Sequence, residues 1–171
     1  MESYNKILKI IYENPTTKFH IRELARFTKL NPNTVINILK DLQKEKMLKV
    51  EKKKYITEIS ANIENQEFIN RKRIFNLSQL YDSGLINFLI KEYNPKAISV
   101  IGSYSKGEDI EKSDTDIIVI GEKEKYEDLT KFEKILSRKI HLIITEYKKI
   151  SEEFYVNLIN GIILYGYIDK K

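Results

Sequence analysis

The sequence predicts an α/β (α+β) chain in two parts, a small helical N-terminal domain closed by a hairpin and a small mixed-sheet C-terminal domain. Three observations predict it. Apolar residues recur at helical spacing through the first 45 residues and then give way to a hairpin pattern. After Pro95, short β-rich runs alternate with a helical pattern, as small α/β domains require. The basic surplus is confined to one end: residues 1–60 carry 13 Lys and Arg against 7 Asp and Glu, whereas residues 61–171 carry 17 against 18. At 171 residues the chain is long enough for two small domains, each with a modest core.

From Ser3 to Glu13, Ile7, Leu8, Ile10 and Ile11 mark a first helix that Asn14-Pro15 ends. A second, short helix fits His20 to Phe27, with Ile21, Leu24 and Ala25 on one face and the turn Thr28-Lys29-Leu30 after it. His20 reads as a capping or surface residue. Asn31-Pro32 then opens a third helix running to about Glu45, because asparagine caps a helix N-terminus and proline suits its first position. Its apolar face is Val35, Ile38, Leu39 and Leu42. Met47 to Val50 and Tyr55 to Ile59 form a hairpin whose tip carries Lys52, Lys53 and Lys54.

Three helices, the last two joined by a tight turn, followed by a basic-tipped hairpin, resemble a winged helix-turn-helix. The resemblance covers residues 3–60 and implies double-stranded DNA as partner. The outer side of the third helix, Asn33, Thr34, Asn37 and Lys40, would then enter the major groove, where Asn bonds adenine edges and Thr touches thymine methyls. Lys52, Lys53 and Lys54 would lie on phosphates. Winged helices commonly bind as dimers, so a homodimer is expected. The domains are set at 1–62 and 95–171, with a helical linker at 63–94.

In that linker Phe68, Ile69, Ile74, Phe75, Leu77, Leu80, Leu85, Phe88, Leu89 and Tyr93 predict one long or two shorter helices, with Asp82-Ser83-Gly84 as the break. Arg71, Lys72 and Arg73 read as a solvated face. Beyond it, strands are expected at Ala97–Ile101, Thr115–Ile120, Ile140–Ile144 and Ile162–Tyr165, and helices at Lys125–Leu136 and Ser151–Asn160.

Chemistry concentrates between residues 102 and 116. Gly102 and Ser103 follow a strand and open a helical turn, with a second glycine at Gly107. Such a turn brings free amides and a hydroxyl to an anion. Ser113-Asp114-Thr115-Asp116 then enters a very apolar strand. Carboxylates at i and i+2 of a strand share a face, so Asp114 and Asp116 converge, and hard oxygen ligands select Mg²⁺ or Mn²⁺.

Gly-Ser, a glycine four residues later, and Ser-Asp-x-Asp on a strand resemble the polymerase-beta-like nucleotidyltransferases of the minimal archaeal and bacterial type, over roughly residues 95–166. The resemblance implies a small mixed-sheet nucleotidyltransferase domain and transfer of a nucleoside monophosphate from ATP or another nucleoside triphosphate. Asp114 and Asp116 would ligate the metal and act in catalysis, and Gly102, Ser103, Gly107 and Ser113 would bind the nucleotide. One position departs from the pattern: the neighbouring strand, where the family supplies a third carboxylate, offers His141. A neutral imidazole is a poorer Mg²⁺ ligand but can serve as a base. Glu146, an odd number of residues further, faces away unless a bulge intervenes.

With no cysteine, disulfides, thiolate metal sites and thiol nucleophiles are excluded. No run of 18 apolar residues and no cleavable leader appears, so a cytoplasmic protein with no membrane partner is expected. Two functions stay open. One is a Mg²⁺-dependent nucleotidyltransferase coupled to DNA. The other is a DNA-binding regulator or antitoxin-like protein with an attenuated, nucleotide-sensing domain, whose acceptor would be a separate protein such as a small helical toxin.

Overall fold

The computed structural model describes residues 2–54, 56–122, 125 and 127–169. Its contacts gather into two units, residues 1–72 and 73–171, divided inside a helix.

The N-terminal unit holds α1 (Glu2–Glu13), α2 (Ile21–Thr28), α3 (Pro32–Lys44) and the antiparallel pair β1 (Leu48–Lys52) and β2 (Thr57–Ala61). Ile7, Ile11, Leu24, Val35, Leu42, Met47 and Ile59 are buried to within 1% of completely and form its centre. α3 begins as its sequence requires, with the Asn31 side chain accepting the Asn33 N–H at 2.9 Å and Pro32 at the first helical position. Lys29 closes α2 in the left-handed region at φ 57°, which makes the tight turn into α3. His20 caps α2, its backbone N–H donating to Glu23 Oε2 at 2.8 Å. The periodicity gave no hint of an added strand position at Phe19, which exchanges both backbone hydrogen bonds with Ile59. Tyr55, expected to start the second hairpin strand, lies outside the described residues.

Between the hairpin and the C-terminal sheet run two helices, α4 (Gln66–Asp82) and α5 (Leu85–Tyr93), separated at Gly84. The solvated face expected at 71–73 is corrected at Lys72. The fully buried stripe of α4 is Phe68, Lys72, Asn76 and Leu80, spaced four apart, so the helix turns Lys72 inward and leaves Ile74 67% exposed. Arg71 stays at the surface, bonded to Glu67 and Glu45.

The C-terminal unit is a four-stranded sheet in the order β5-β4-β3-β6, made of β3 (Ala97–Ile101), β4 (Thr115–Ile120), β5 (Ile140–Thr145) and β6 (Ile162–Gly166). β3 is antiparallel to β4 and β6, and β4 is parallel to β5. On one face, Ile98, Val100, Ile117 and Val119 pack with Leu85 and Leu89 of α5 and with Phe132 and Leu136 of α7 (Thr130–Leu136). On the other, Ala97, Ile118 and Ile120 pack with Ile150 and with Leu158 of α8 (Glu152–Ile159). Burial on both faces explains the unbroken apolar run Ile117–Ile120. α7 starts five residues later than the apolar pattern suggested. Asp128 takes both the backbone N–H and the hydroxyl of Thr130, an Asx turn that ends the preceding loop. No described helix is long and apolar enough to cross a membrane.

Candidate active site

Asp116 stands opposite Ile101 of β3 on one side and His141 of β5 on the other. Ile101 is the last residue of β3, and the chain turns at once into the short helix α6 (Gly102–Lys106). Gly102 has φ 71°, a region that side chains rarely adopt, and a Cβ there would lie 2.8 Å from Asp116 Oδ2. The missing side chain therefore makes room for the carboxylate. Gly107, φ 77°, ends α6 as a left-handed cap. Ser103 is half-buried, and its hydroxyl has no hydrogen bond among the described residues.

His141 Nδ1 lies 2.9 Å from Asp116 Oδ1. A carboxylate that only accepts takes its hydrogen bond here from Nδ1–H, and in the neutral tautomer that makes this bond the lone pair lies on Nε2. The histidine side chain is 62% exposed and the aspartate 34%. The two oxygens of Asp116 thus divide: Oδ1 meets the imidazole and Oδ2 faces the Gly102 turn.

Asp114 precedes the strand and is exposed, while Thr115 beside it is wholly buried. Continued one residue back from β4, strand alternation would put Asp114 on the face that Asp116 occupies. Among the described residues no three His, Asp or Glu side chains are gathered tightly enough to enclose a metal. Asp116, with one oxygen facing the Gly102 turn, and its neighbour Asp114 are of the chemistry that Mg²⁺ or Mn²⁺ accept, since these ions take one or two carboxylates and complete their shell from phosphates and water. Glu146 does not approach this site. It borders a pocket with Lys96, Gly121 and Glu122, beyond the other end of β4.

Ser113 braces the loop. Its hydroxyl accepts the Ile110 N–H at 3.0 Å and its own N–H donates to the Ile110 carbonyl at 3.0 Å, closing the turn that leads to Asp114. An open groove of about 420 Å³ reaches Asp114, bordered by Lys112, Lys134, Ser137 and Lys139. A hydrogen bond from Lys139 to Glu133, 2.9 Å, holds that ammonium above its usual range, and the charge of Asp114 adds to the effect. The same bond and the Ile140 N–H hold Glu133 below the usual carboxylate range.

Sequence reasoning missed a buried polar cluster beneath these elements. Asn76 of α4 donates to Asp109 Oδ1 at 2.7 Å and to the Tyr104 carbonyl at 3.0 Å, and Arg138 donates to Asp109 Oδ2 at 3.4 Å. The signal available was a polar residue in the four-residue stripe of α4, hidden because Phe75 and Leu77 flank it.

In the N-terminal unit Asn33, Thr34, Asn37 and Lys40 are all exposed on α3, and Lys52, Lys53 and Lys54 are exposed at the hairpin end. Lys53 differs from a free cation. Its ammonium is bonded to Glu58 at 2.6 Å, which Lys18 also contacts at 3.1 Å.

A family model described as polymerase beta nucleotidyltransferase matches residues 84–169, just over half of the chain, from α5 through the last strand. No curated protein and no solved structure matches the chain.

Proposed function

Because the chain belongs to the polymerase beta nucleotidyltransferase family, we propose that it transfers a nucleoside monophosphate from a nucleoside triphosphate to an acceptor hydroxyl. The new bond joins the acceptor oxygen to the α-phosphorus, and the bond from that phosphorus to the bridging oxygen breaks, its electron pair leaving on pyrophosphate. The observation that carries this reading is Asp116, fitted between a turn emptied of side chain at Gly102 and the His141 imidazole.

In this reading the Gly102 turn, the Ser103 hydroxyl and the Gly107 cap receive the triphosphate, and Ser113 serves by shaping the loop. Asp114 and Asp116 would hold Mg²⁺ or Mn²⁺, which when bound offsets the charge of the phosphates. His141 occupies the register position of the family's third carboxylate, and its Nε2 is open to take the proton of the acceptor. The N-terminal unit binds double-stranded DNA, with Asn33, Thr34, Asn37 and Lys40 reading bases and Lys52, Lys53 and Lys54 on phosphates. A dimer on DNA and a separate protein as acceptor belong to the same reading.

The test is calorimetric titration of the chain with Mg²⁺ and each nucleoside triphosphate in turn, beside Asp114→Ala. Binding of at least one Mg²⁺-nucleotide that Asp114→Ala weakens is expected; no binding by either protein sinks the reading. The Asp116–His141 contact also favours a second reading, a DNA-binding regulator whose domain senses nucleotide without turnover. His141→Asp separates the two: a large gain in pyrophosphate release assigns the natural site to sensing, and a loss assigns it to transfer.

A further inference from the structure

We infer that Asp109 is a positioning residue that couples the phosphate-binding turn to the metal carboxylates, an inference that rests on the proposed nucleotidyl transfer. Its side chain has no exposure and that of Arg138 has 5%. Burying ionic groups carries a desolvation penalty that their mutual attraction need not repay, so such a pair is poorly explained by stability alone. What Asp109 touches explains it better.

Three parts of the site come from separate elements: the turn Gly102–Lys106 after β3, the loop 107–114 that delivers Asp114 and Asp116, and β5, which delivers His141. Asp109 lies in the loop and bonds toward both of the others. Through Oδ1 it accepts the Asn76 amide at 2.7 Å, and the same amide nitrogen donates at 3.0 Å to the carbonyl of Tyr104, inside the turn. The Tyr104 hydroxyl returns to the Asn76 carbonyl at 3.4 Å. Through Oδ2 it accepts Arg138 at 3.4 Å, three residues before His141, and Arg138 also bonds the Ser137 carbonyl at 3.1 Å. Immediately beyond, the Thr115 N–H donates to the Lys139 carbonyl at 2.8 Å and starts the β4–β5 pairing that sets Asp116 against His141. One carboxylate thus ties the loop to the turn and to the entry of β5. A catalytic constellation needs such fixed support, because sub-ångström displacement of its members costs rate.

The expected consequence is thermodynamic coupling. In the intact protein Mn²⁺ tightens ATP binding, because cation and triphosphate meet in a preset geometry, and the coupling is the ratio of ATP Kd without and with Mn²⁺. In Asp109→Asn that ratio falls about tenfold, while ATP affinity without metal changes little. Asn76→Ala, which cuts the link to Tyr104 and leaves the Asp109–Arg138 pair, lowers the ratio about threefold and covers the case in which Asp109→Asn does not fold. Fluorescence titration of the full chain with labelled ATP, with and without Mn²⁺, reads both, and circular dichroism verifies folding. A folded Asp109→Asn or Asn76→Ala that keeps the wild-type ratio overturns the inference and leaves nucleotidyl transfer standing. Equal loss in both arms assigns Asp109 a purely structural role and overturns it too. A wild-type chain that binds none of the nucleoside triphosphates, each tried in turn in both arms, removes the transfer reading, and this inference with it.

Discussion

The two units use their exposed polar residues in opposite ways. In the N-terminal unit, Asn33, Thr34, Asn37 and Lys40 project from a helix whose buried face, Val35, Leu39 and Leu42, would hold it in place whatever stood outside. On the proposed DNA-binding reading each outward residue would be an independent contact. In the C-terminal unit, Asp116 depends on a missing Cβ at Gly102, on a register that pairs it with His141, and on a buried carboxylate underneath. The difference teaches that a surface read by a partner tolerates change one residue at a time, whereas a site that gathers charge is only as good as the backbone geometry around it.

The sharpest break is Asp116→Asn. Nucleotidyl transfer should fall by about a thousandfold, several kcal/mol of barrier at about 1.4 kcal/mol per decade, while retention on double-stranded DNA is unchanged in a gel-shift assay. Loss of both would end the separation of the units. Next comes Gly102→Ala, a single methyl in the left-handed region that also meets Asp116. We expect a strain of about 1–2 kcal/mol in denaturant unfolding and an ATP affinity lowered by about tenfold, and wild-type values in both would show that the turn adapts.

Asn37→Ala tests the additive surface. A loss of about 1–3 kcal/mol at the preferred DNA sequence, with discrimination relaxed at one base, is the expected result of removing a bidentate base contact. An even loss on all sequences would assign Asn37 to backbone. Smaller again is the effect of Lys52→Gln, which should flatten the slope of log K against log salt by about 0.9, the value of one phosphate contact, without altering sequence preference. Lys53→Gln is expected to do less, because Lys53 already pairs with Glu58.

Legibility followed the range of the interactions. Helix starts with local chemistry were visible: Asn31-Pro32 caps α3, and Gly84 separates α4 from α5. The strands of the C-terminal sheet were visible as β-rich runs. Lys72 was misread because three consecutive cations resemble a solvated face, and only packing decides which way a helix turns them. Phe19 pairs with Ile59, 40 positions away, a contact that no local pattern encodes. No local pattern marks Asp109 and Arg138, yet both side chains are buried and paired, 29 positions apart, with Asn76 on the other oxygen of Asp109.

By itself the sequence determined the α/β class, the order of elements, the segment Gly102 to Asp116 and its match to a nucleotidyltransferase family, since each rests on short-range periodicity, turn chemistry or spacing. Only the tertiary structure decided that His141 bonds Asp116, that Gly102 leaves the space the carboxylate needs, and that Asp109 ties the loop to its neighbours. Those contacts join residues 14 to 33 positions apart, and strand register and helix rotation bring them together by burying the apolar faces of the sheet.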